Sequence, residues 1–251
     1  MTVYFIGAGP GAADLITVRG QRLLERCDVC LYAGSIMPKD LLAHCPPGAK
    51  IVDTGPLTIE QIVTELGDAG AAGKDVARLH SGDPSLYSAL AEQCRRLDAL
   101  GIDYEIVPGV PAFAAAAAAL KRELTVPGVA QTVTLTRVAT LSTPMPPGEE
   151  LANLASSGAT LVLHLAAAQI DNIVPQLLAG GYQPETPTAV VAFASWPQQT
   201  VLRGTLSSIA GQMHNVGITK TAVIVIGDVL AAEGFTDSYL YSVTRRSRPA
   251  H

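Results

Sequence analysis

The feature of this sequence that most constrains its fold is the alternation of apolar β-type runs with helical patterns through its first half. The runs "TVYFIG", "DVCLYAG", "DVARLH" and "YEIVPG" alternate with segments of helical periodicity such as "IEQIVTELGDAGAAG" and "SLYSALAEQCRRLDALG". Strands and helices that alternate in this way form a parallel sheet covered by helices. A local signal agrees, because Thr17 is placed to cap a helix that we expect to reach about Arg26.

The second half follows a different pattern. After "LTVPGVAQ" come the strands "TVTLTRV", "ATLVLHLA", "PTAVVAFAS", "QTVLRGTL" and "TAVIVIGDVL", with fewer helices between them, which predicts a mixed sheet. We therefore predict two α/β domains, residues 1–120 with a parallel sheet and residues 121–251 with a mixed sheet. The charged, proline-containing segment from Lys121 to Gly128 is the expected joint.

Composition narrows the class of protein. Hydrophobic residues make up 48% of the chain and charged residues 16%, which is typical of a folded protein. The net charge of -5 and the lack of a long basic run disfavour a nucleic-acid partner. The start "MTVYFIGAGP" does not resemble a secretory signal, and "VPAFAAAAAAL" is too short to span a bilayer. We expect a cytoplasmic protein with no membrane partner.

Cysteine and histidine spacing gives little support for a metal site. Cys27 and Cys30 form a CxxC pattern, which is compatible with a redox pair or half a zinc site. However, residues three apart on a strand point to opposite faces, and no second cysteine or histidine pair completes a site. We interpret these cysteines as core residues and expect no metal.

Three of the predicted strands run into loops rich in glycine and proline. They are "GAGPGAAD", Ser81-Gly82-Asp83-Pro84 and Pro108-Gly109-Val110-Pro111. In a parallel sheet these loops lie at one edge, where open α/β sheets bind ligands. Purely structural readings stay open: a tight strand-to-helix turn for the first loop, and for the second an N-cap at Asp83 with Pro84 as first helical residue.

The first loop formally satisfies a dinucleotide-binding pattern but fails it on three counts. The following helix starts only at Thr17, so its amides are not next to the loop. Pro10 removes one amide donor. The second strand ends in "LYAGS", without the acid that would bind a ribose. An NAD-binding oxidoreductase is therefore disfavoured.

The stretches "GAGPGAADLIT", "YAGSIMP", "RLHSGDPSLYSALAEQ" and "EIVPGVPAFAAAAAAL" together resemble the tetrapyrrole methylases, the S-adenosylmethionine (SAM) enzymes of corrin and sirohaem synthesis. With "FASWPQQTVLRGTL" they are similar to one subgroup, which methylates a ring carbon of a corrin precursor. The resemblance runs from about Val3 to Leu230. It implies two α/β domains with SAM in an interdomain active-site cleft, usually a homodimer, and a tetrapyrrole substrate.

The resemblance also implies positions for the ligands. The SAM contacts would be Pro10, Ser81, Gly82, Asp83, Leu86, Pro111, Ala112, Leu165, Ala194, Gly204, Thr205 and Leu206. For the carboxylates of a tetrapyrrole we expect Gly9, Gly11, His80 and Arg137, with a packed core histidine as the other reading of His80. The basic cluster Arg245, Arg246 and Arg248 has two readings as well, substrate ligands or a solvated tail.

Two departures from the family pattern limit what is carried over. The usual loop is GPGDP, whereas Ala12 and Ala13 stand at the acid and proline positions here. Ala33 stands where relatives that make the first methylations carry an aspartate proposed as a base, so the catalytic residue is left unknown. Four other classes stay open: the same methylation of a cobalt-bearing substrate, another tetrapyrrole C-methyltransferase, an RNA methyltransferase of the same fold, and a non-catalytic carrier.

Overall fold

The computed structural model describes residues 1–34, 36–140, 143–235 and 237. Arg245, Arg246 and Arg248 lie outside the described residues. The chain divides into two compact units. The first comprises Met1–Ala115 together with the short segment Ala194–Gln198, and the second comprises Ala116–Phe193 and the residues from Gln199 onward.

The first unit is built on a five-stranded sheet in which every neighbouring pair of strands is parallel. Its strands are β1 (Val3–Gly7), β2 (Val29–Tyr32), β3 (Lys50–Asp53), β4 (Val76–His80) and β5 (Tyr104–Val107). Their order is β3-β2-β4-β1-β5. Both faces carry apolar clusters, and β1 and β4 are buried along their whole length. The parallel sheet predicted from the alternating pattern is confirmed.

Helices connect these strands, and their ends follow local rules. The helices are α1 (Val18–Leu24), α2 (Ile59–Ala71) and α3 (Leu90–Leu100); α4 (Ala112–Leu120) follows β5, and its residues are divided between the two units. Thr17 caps α1 as predicted, because its side chain accepts the Gly20 amide. Thr58 and Gln61 form a capping box at the start of α2. β3 was missing from our prediction, since three of its four residues are exposed and it has no apolar run.

The second unit contains a mixed five-stranded sheet. Its strands are β6 (Val133–Arg137), β7 (Thr160–His164), β8 (Pro187–Ala192), β9 (Thr200–Thr205) and β10 (Ala222–Ile226), and its further helices are α5 (Leu151–Ala155), α6 (Ile170–Ala179) and α7 (Ile209–Val216). The order is β6-β7-β10-β8-β9, with β6 and β7 parallel and the other neighbours antiparallel. A large apolar cluster from both the strands and the helices forms its core. The predicted mixed sheet is also confirmed.

The cysteines of the CxxC pattern are core residues, as predicted. The argument that they point to opposite faces of one strand was wrong, however. Cys27 and Cys30 are both fully buried, and both pack in the same apolar cluster. Cys27 precedes β2 and so does not follow the alternation of a strand. Burial raises the pKa of the Cys27 thiol to about 12, so this side chain is an unreactive thiol at neutral pH.

No helix among the described residues is long and apolar enough to cross a bilayer.

Candidate functional site

The three glycine-containing loops of the first unit meet at one edge of its sheet. β1 lies between β4 and β5, and all three run in the same direction, so their carboxyl ends are neighbours. The first two loops continue the pairing: Gly82 donates its amide to the Gly9 carbonyl (2.7 Å) and Gly9 donates to the Gly82 carbonyl (3.2 Å). The expectation that these loops share an edge is confirmed. The Gly9 amide is used within the loops, so a substrate carboxylate at Gly9 would have to replace this bond.

Glycine is required here by close backbone packing. A Cβ atom on Gly109 would lie 2.3 Å from the Gly82 carbonyl oxygen and 2.7 Å from the Gly7 Cα. A Cβ on Gly7 would in turn lie 2.5 Å from the Gly109 Cα. Because the obstacles are backbone atoms, no side-chain movement could relieve these overlaps. The loops therefore form one rigid block at the carboxyl edge.

Asp83 ties the second loop to the third and does not cap a helix. The helix predicted to start at Pro84 begins only at Leu90, so the N-cap reading of Asp83 was wrong. One carboxylate oxygen accepts the amide and the hydroxyl of Ser85, and the other accepts the Gly109 amide at 2.8 Å. Burial alone would raise the pKa of Asp83, but these hydrogen bonds outweigh it and hold the pKa below its ordinary value. Asp83 is therefore ionised at neutral pH.

The other predicted SAM positions of the first unit lie around this block. Ser81 and Gly82 follow β4 directly, and the position of a Gly82 Cβ is 3.6 Å from the Pro111 Cα and 3.7 Å from the Ala112 amide nitrogen. Leu86 is half-buried in the segment after Asp83, whose carbonyl accepts the Leu86 amide. The structure thus places the second and third predicted groups of contacts side by side.

Behind the second loop, β4 carries two buried polar side chains on one face. Arg78 is 6% exposed and donates to Gln93 and Thr54 at 3.1 Å each. His80 is 5% exposed, and its Nε2 has no hydrogen-bond partner among the described residues. Burial lowers the pKa of His80 to about 3, with a further contribution from the nearby Arg78 charge. His80 is a neutral, packed histidine with one unsatisfied nitrogen.

A segment from far along the chain completes the first loop. Ala194–Gln198 belongs to the first unit, and within it the Trp196 indole nitrogen donates to the Pro10 carbonyl at 3.0 Å. The Ser195 hydroxyl accepts the Ala12 amide at 2.9 Å. Ala194 and Pro10, which the resemblance names as SAM contacts from opposite halves, are thereby brought together. Sequence reasoning missed Trp196 and Ser195, although the motif "FASWPQQ" contains both.

In the second unit, Leu165 and Arg137 lie at the carboxyl ends of two neighbouring parallel strands. Leu165 follows β7, is 65% exposed and has a φ of +52°, which is costly for a leucine. Arg137 ends β6, opposite His164 of β7 in register. Its guanidinium donates to the carbonyls of Val138 (3.0 Å), Thr143 (3.1 Å) and Pro144 (3.2 Å). A substrate carboxylate at Arg137 would add to or replace these contacts.

Gly204, Thr205 and Leu206 lie at the other edge of this sheet. β9 is antiparallel to β8, so its end at Thr205 pairs with Pro187, the first residue of β8. Pairs along β8 and β9 place Thr205 five residues from the edge where β8 ends, about 17 Å at the usual rise per residue. Leu206 is moreover 1% exposed in the core. Gly204, Thr205 and Leu206 therefore lie apart from Leu165 along this sheet, and their contact with SAM stays a prediction.

Strained backbone also concentrates beside the predicted positions. Within the described part of the chain, the non-glycine residues with positive φ are Tyr87, Ala89, Lys121, Leu165, Phe193, Ser195 and Thr221. Two follow the Ser81–Asp83 loop, and two flank Ala194. Such conformations cost free energy and cluster at functional sites.

The arrangement is that of an α/β protein whose glycine loops gather at the carboxyl edge of its strands, which is where open α/β sheets bind ligands. The family model described as Tetrapyrrole (Corrin/Porphyrin) Methylases matches residues 2–210. This chain belongs to that family. Among the described residues no group of histidine, cysteine or acidic side chains is placed to hold a metal ion.

Relatives are similar to this chain over nearly all of its length. The chain is 84% identical to a precorrin-4 C(11)-methyltransferase of Mycobacterium tuberculosis, over 100% of both chains. The solved structure of a cobalt precorrin-4 methyltransferase, a cobalamin biosynthetic enzyme, is 41% identical with a TM-score of 0.89, covering 91% of this chain and 95% of that one. A uroporphyrin-III C-methyl transferase from Thermus thermophilus, complexed with S-adenyl homocysteine, is 28% identical with a TM-score of 0.79, covering 92% and 99%.

Proposed function

We propose that this protein is a SAM-dependent methyltransferase of corrin biosynthesis that methylates C(11) of precorrin-4 to give precorrin-5. Similarity to the Mycobacterium tuberculosis enzyme over the full chain supports the substrate. The observation that carries the proposal is the meeting of Pro10, Ser81–Asp83 and Pro111–Ala112 at one edge of the parallel sheet. These positions were taken from separate motifs of the sequence.

The charge at this edge suits SAM. The Asp83 carboxylate, which is ionised, adds negative charge close to Gly82 and Ala112, and this favours a cationic ligand. SAM supplies a methyl group already activated on its positive sulfur, and S-adenosylhomocysteine is left after the transfer. The protein's part is therefore to orient the reacting groups and exclude water, which can contribute about 7–11 kcal/mol in favourable cases. We propose as SAM contacts Pro10, Ser81, Gly82, Asp83, Leu86, Pro111, Ala112, Leu165, Ala194, Gly204, Thr205 and Leu206.

For the substrate we propose Gly9, Gly11, His80 and Arg137. Among them Arg137 is the side chain whose charge suits a carboxylate. His80 is neutral because burial disfavours its protonated form, so it would act as a hydrogen-bonding group. We further propose that the protein is a homodimer in the cytoplasm, without nucleic-acid or membrane partners. We also propose that the boundary between its two domains lies near residue 120 of the chain.

A product analysis tests the proposed reaction. The purified protein is incubated with SAM and precorrin-4, with and without cobalt in the macrocycle, and the added methyl group is located by mass spectrometry and NMR. We expect one methyl group at C(11) of the metal-free substrate. Reaction only with the cobalt form would favour the activity named for the cobalt precorrin-4 relative. Methylation at another carbon, or none with either substrate, would contradict the proposal.

A further inference from the structure

The chain contains a single tryptophan, and it contacts the first glycine loop. Trp196 donates its indole N–H to the Pro10 carbonyl at 3.0 Å, across 186 positions of sequence. Next to it, the Ser195 hydroxyl accepts the Ala12 amide at 2.9 Å. These two bonds hold the loop on both sides of Gly11. We call Ser195 and Trp196 together the clamp.

Gly11 lies against the Cδ1 and Nε1 atoms of the indole ring. A Cβ atom at this position would be 2.1 Å from the Trp196 Cδ1, 2.3 Å from its Nε1 and 2.9 Å from the Ala194 carbonyl oxygen. Real Cβ atoms do not approach other atoms so closely, so the contact requires glycine. Gly11 thus serves the close approach of the clamp, a reason independent of any ligand.

The composition of the loop explains why it depends on an outside segment. Ala12 and Ala13 have no side-chain hydrogen-bonding group, and Pro10 has no amide N–H. The loop therefore offers few bonds of its own to fix its conformation. Ser195 satisfies the Ala12 amide and is held at a φ of +66°, a conformation that costs free energy for a serine.

We propose that Trp196 is a positioning residue for SAM binding, which acts by setting the place of Pro10 relative to Ala194. The inference rests on the proposed function, since both residues are proposed SAM contacts there. Trp196 holds the Pro10 carbonyl directly, and Ala194 is two residues before it in the chain. Loosening the clamp separates these two contacts, whereas the Ser81–Asp83 loop keeps its own bonds to Gly9 and Gly109.

Trp196→Phe tests this proposal. Phenylalanine keeps an aromatic ring against Gly11 but lacks the N–H that reaches Pro10. Losing one net hydrogen bond at a positioning contact predicts a Kd for SAM, measured by calorimetry, about fivefold to tenfold higher. The KM for the tetrapyrrole should rise less than the Kd for SAM, because Gly11 is only one of the four proposed substrate contacts, and the kcat at saturating SAM should stay within about twofold of the wild type. Ser195→Ala should raise the Kd for SAM in the same direction.

Tyr104→Phe is the matched control. It removes a hydroxyl from the first residue of β5, which lies at the amino-terminal ends of the strands, away from the glycine loops at their carboxyl ends. We expect this variant to bind SAM as the wild type does. Wild-type SAM affinity in folded Trp196→Phe would overturn the proposal, and so would equal losses for SAM and tetrapyrrole, which indicate a merely structural role. Failure of the wild type itself to bind SAM would instead refute the proposed function.

In the wild type and in Ser195→Ala, the fluorescence of Trp196 reports on the clamp directly. Because the chain has one tryptophan, the whole signal comes from this ring. We expect SAM to change the emission of the wild type with the same midpoint as calorimetry. An emission spectrum unaffected by saturating SAM would show that the ligand does not engage the clamp, contrary to the proposal.

Discussion

The two sheets of this protein form their carboxyl edges by different means. In the first unit, three loops cross at backbone contact distance, and glycines such as Gly7, Gly82 and Gly109 occupy the crossing points. In the second unit the corresponding edge contains Leu165, Phe193 and Thr221, side-chain-bearing residues at φ values of +52°, +50° and +53°. Glycine would adopt these angles without cost.

This difference separates two kinds of constraint. At Gly7 and Gly109 of the first edge a side chain is impossible, because backbone atoms fill the space where a Cβ would lie. At the second edge the residues carry side chains in spite of backbone strain of about 1–2 kcal/mol per residue. Packing or ligand binding by these side chains must therefore offset the strain. For Leu165, which is 65% exposed, packing in the core does not supply that offset.

The largest effect we predict is at the first edge. Gly109→Ala places a Cβ 2.3 Å from the Gly82 carbonyl oxygen and 2.7 Å from the Gly7 Cα. The loops must then separate, and we expect the free energy of unfolding to fall by about 3 kcal/mol or more, the upper range for overpacking. Urea unfolding followed by circular dichroism measures this change.

Gly67→Ala is the control for this glycine. Gly67 lies within α2, and nothing lies within 4 Å of its Cβ position. Alanine is favoured over glycine in a helix by about 0.5–1 kcal/mol, so this variant should be slightly more stable. If both variants unfolded at the same urea concentration, the crossing of the three loops would not be the tight contact described.

How much of this structure can be predicted from the sequence depends on how far apart the interacting residues are in the chain. The sheet types, the Thr17 cap and the shared edge of the glycine loops follow from local patterns and from the geometry of parallel strands. Asp83 shows where local rules stop, because an Asp-Pro pair suits an N-cap as well as a turn. In the structure Asp83 lies in a turn, and its carboxylate also accepts the amide of Gly109, which is 26 residues away in the sequence.

The gaps in our reading of the candidate site have the same origin. Gly204–Leu206 is assigned to the site by motif, whereas the place of these residues in the sheet depends on the pairing of β9 with β8. Trp196 was missed because its partner, Pro10, is 186 residues away. Neither contact produces a periodic pattern or a characteristic residue spacing in the sequence. Long-range pairing therefore decides those parts of the site that the motifs do not.

A histidine is the last residue of a strand at each of these two edges, His80 of β4 (buried) and His164 of β7 (partly buried), and their titration extends the comparison. Burial lowers the pKa of His80 from 6.5 to about 3, and that of His164 is lowered for the same reason. Between pH 6.5 and 3 the unfolded chain binds a proton at His80 that the folded chain does not. Stability should therefore fall as the pH falls, with His80 contributing a slope that approaches about 1.4 kcal/mol per pH unit.

His80→Phe removes this contribution. The aromatic ring stays beside Phe5, whose ring centroid lies 5.7 Å from that of His80. We expect the slope of unfolding free energy between pH 6.5 and 4.5, from urea titrations, to drop markedly in His80→Phe. His164→Phe should lower it less, since His164 is only partly buried. An unchanged slope in His80→Phe would mean that this imidazole is protonated in the folded protein.

The smallest effect on stability is predicted at the second edge, where it separates strain from ligand binding. Leu165→Gly relieves a positive φ and loses little packing, because the side chain is 65% exposed. Relief of about 1–2 kcal/mol is partly offset by about 0.5–1 kcal/mol of extra chain entropy, so stability should rise by up to about 1 kcal/mol. If Leu165 contacts SAM, the Kd for SAM rises at the same time, as measured by calorimetry.

Thr221→Gly makes the same change of backbone strain without a proposed contact. Thr221 has a φ of +53°, is exposed, and precedes β10 at the same edge of the second sheet. It should gain a similar amount of stability while binding SAM with wild-type affinity. Weaker SAM binding in Leu165→Gly alone means that the leucine side chain itself is retained for the ligand. Equal SAM affinity in the two variants would leave the strain at Leu165 unrelated to the cofactor and would remove this residue from the proposed site.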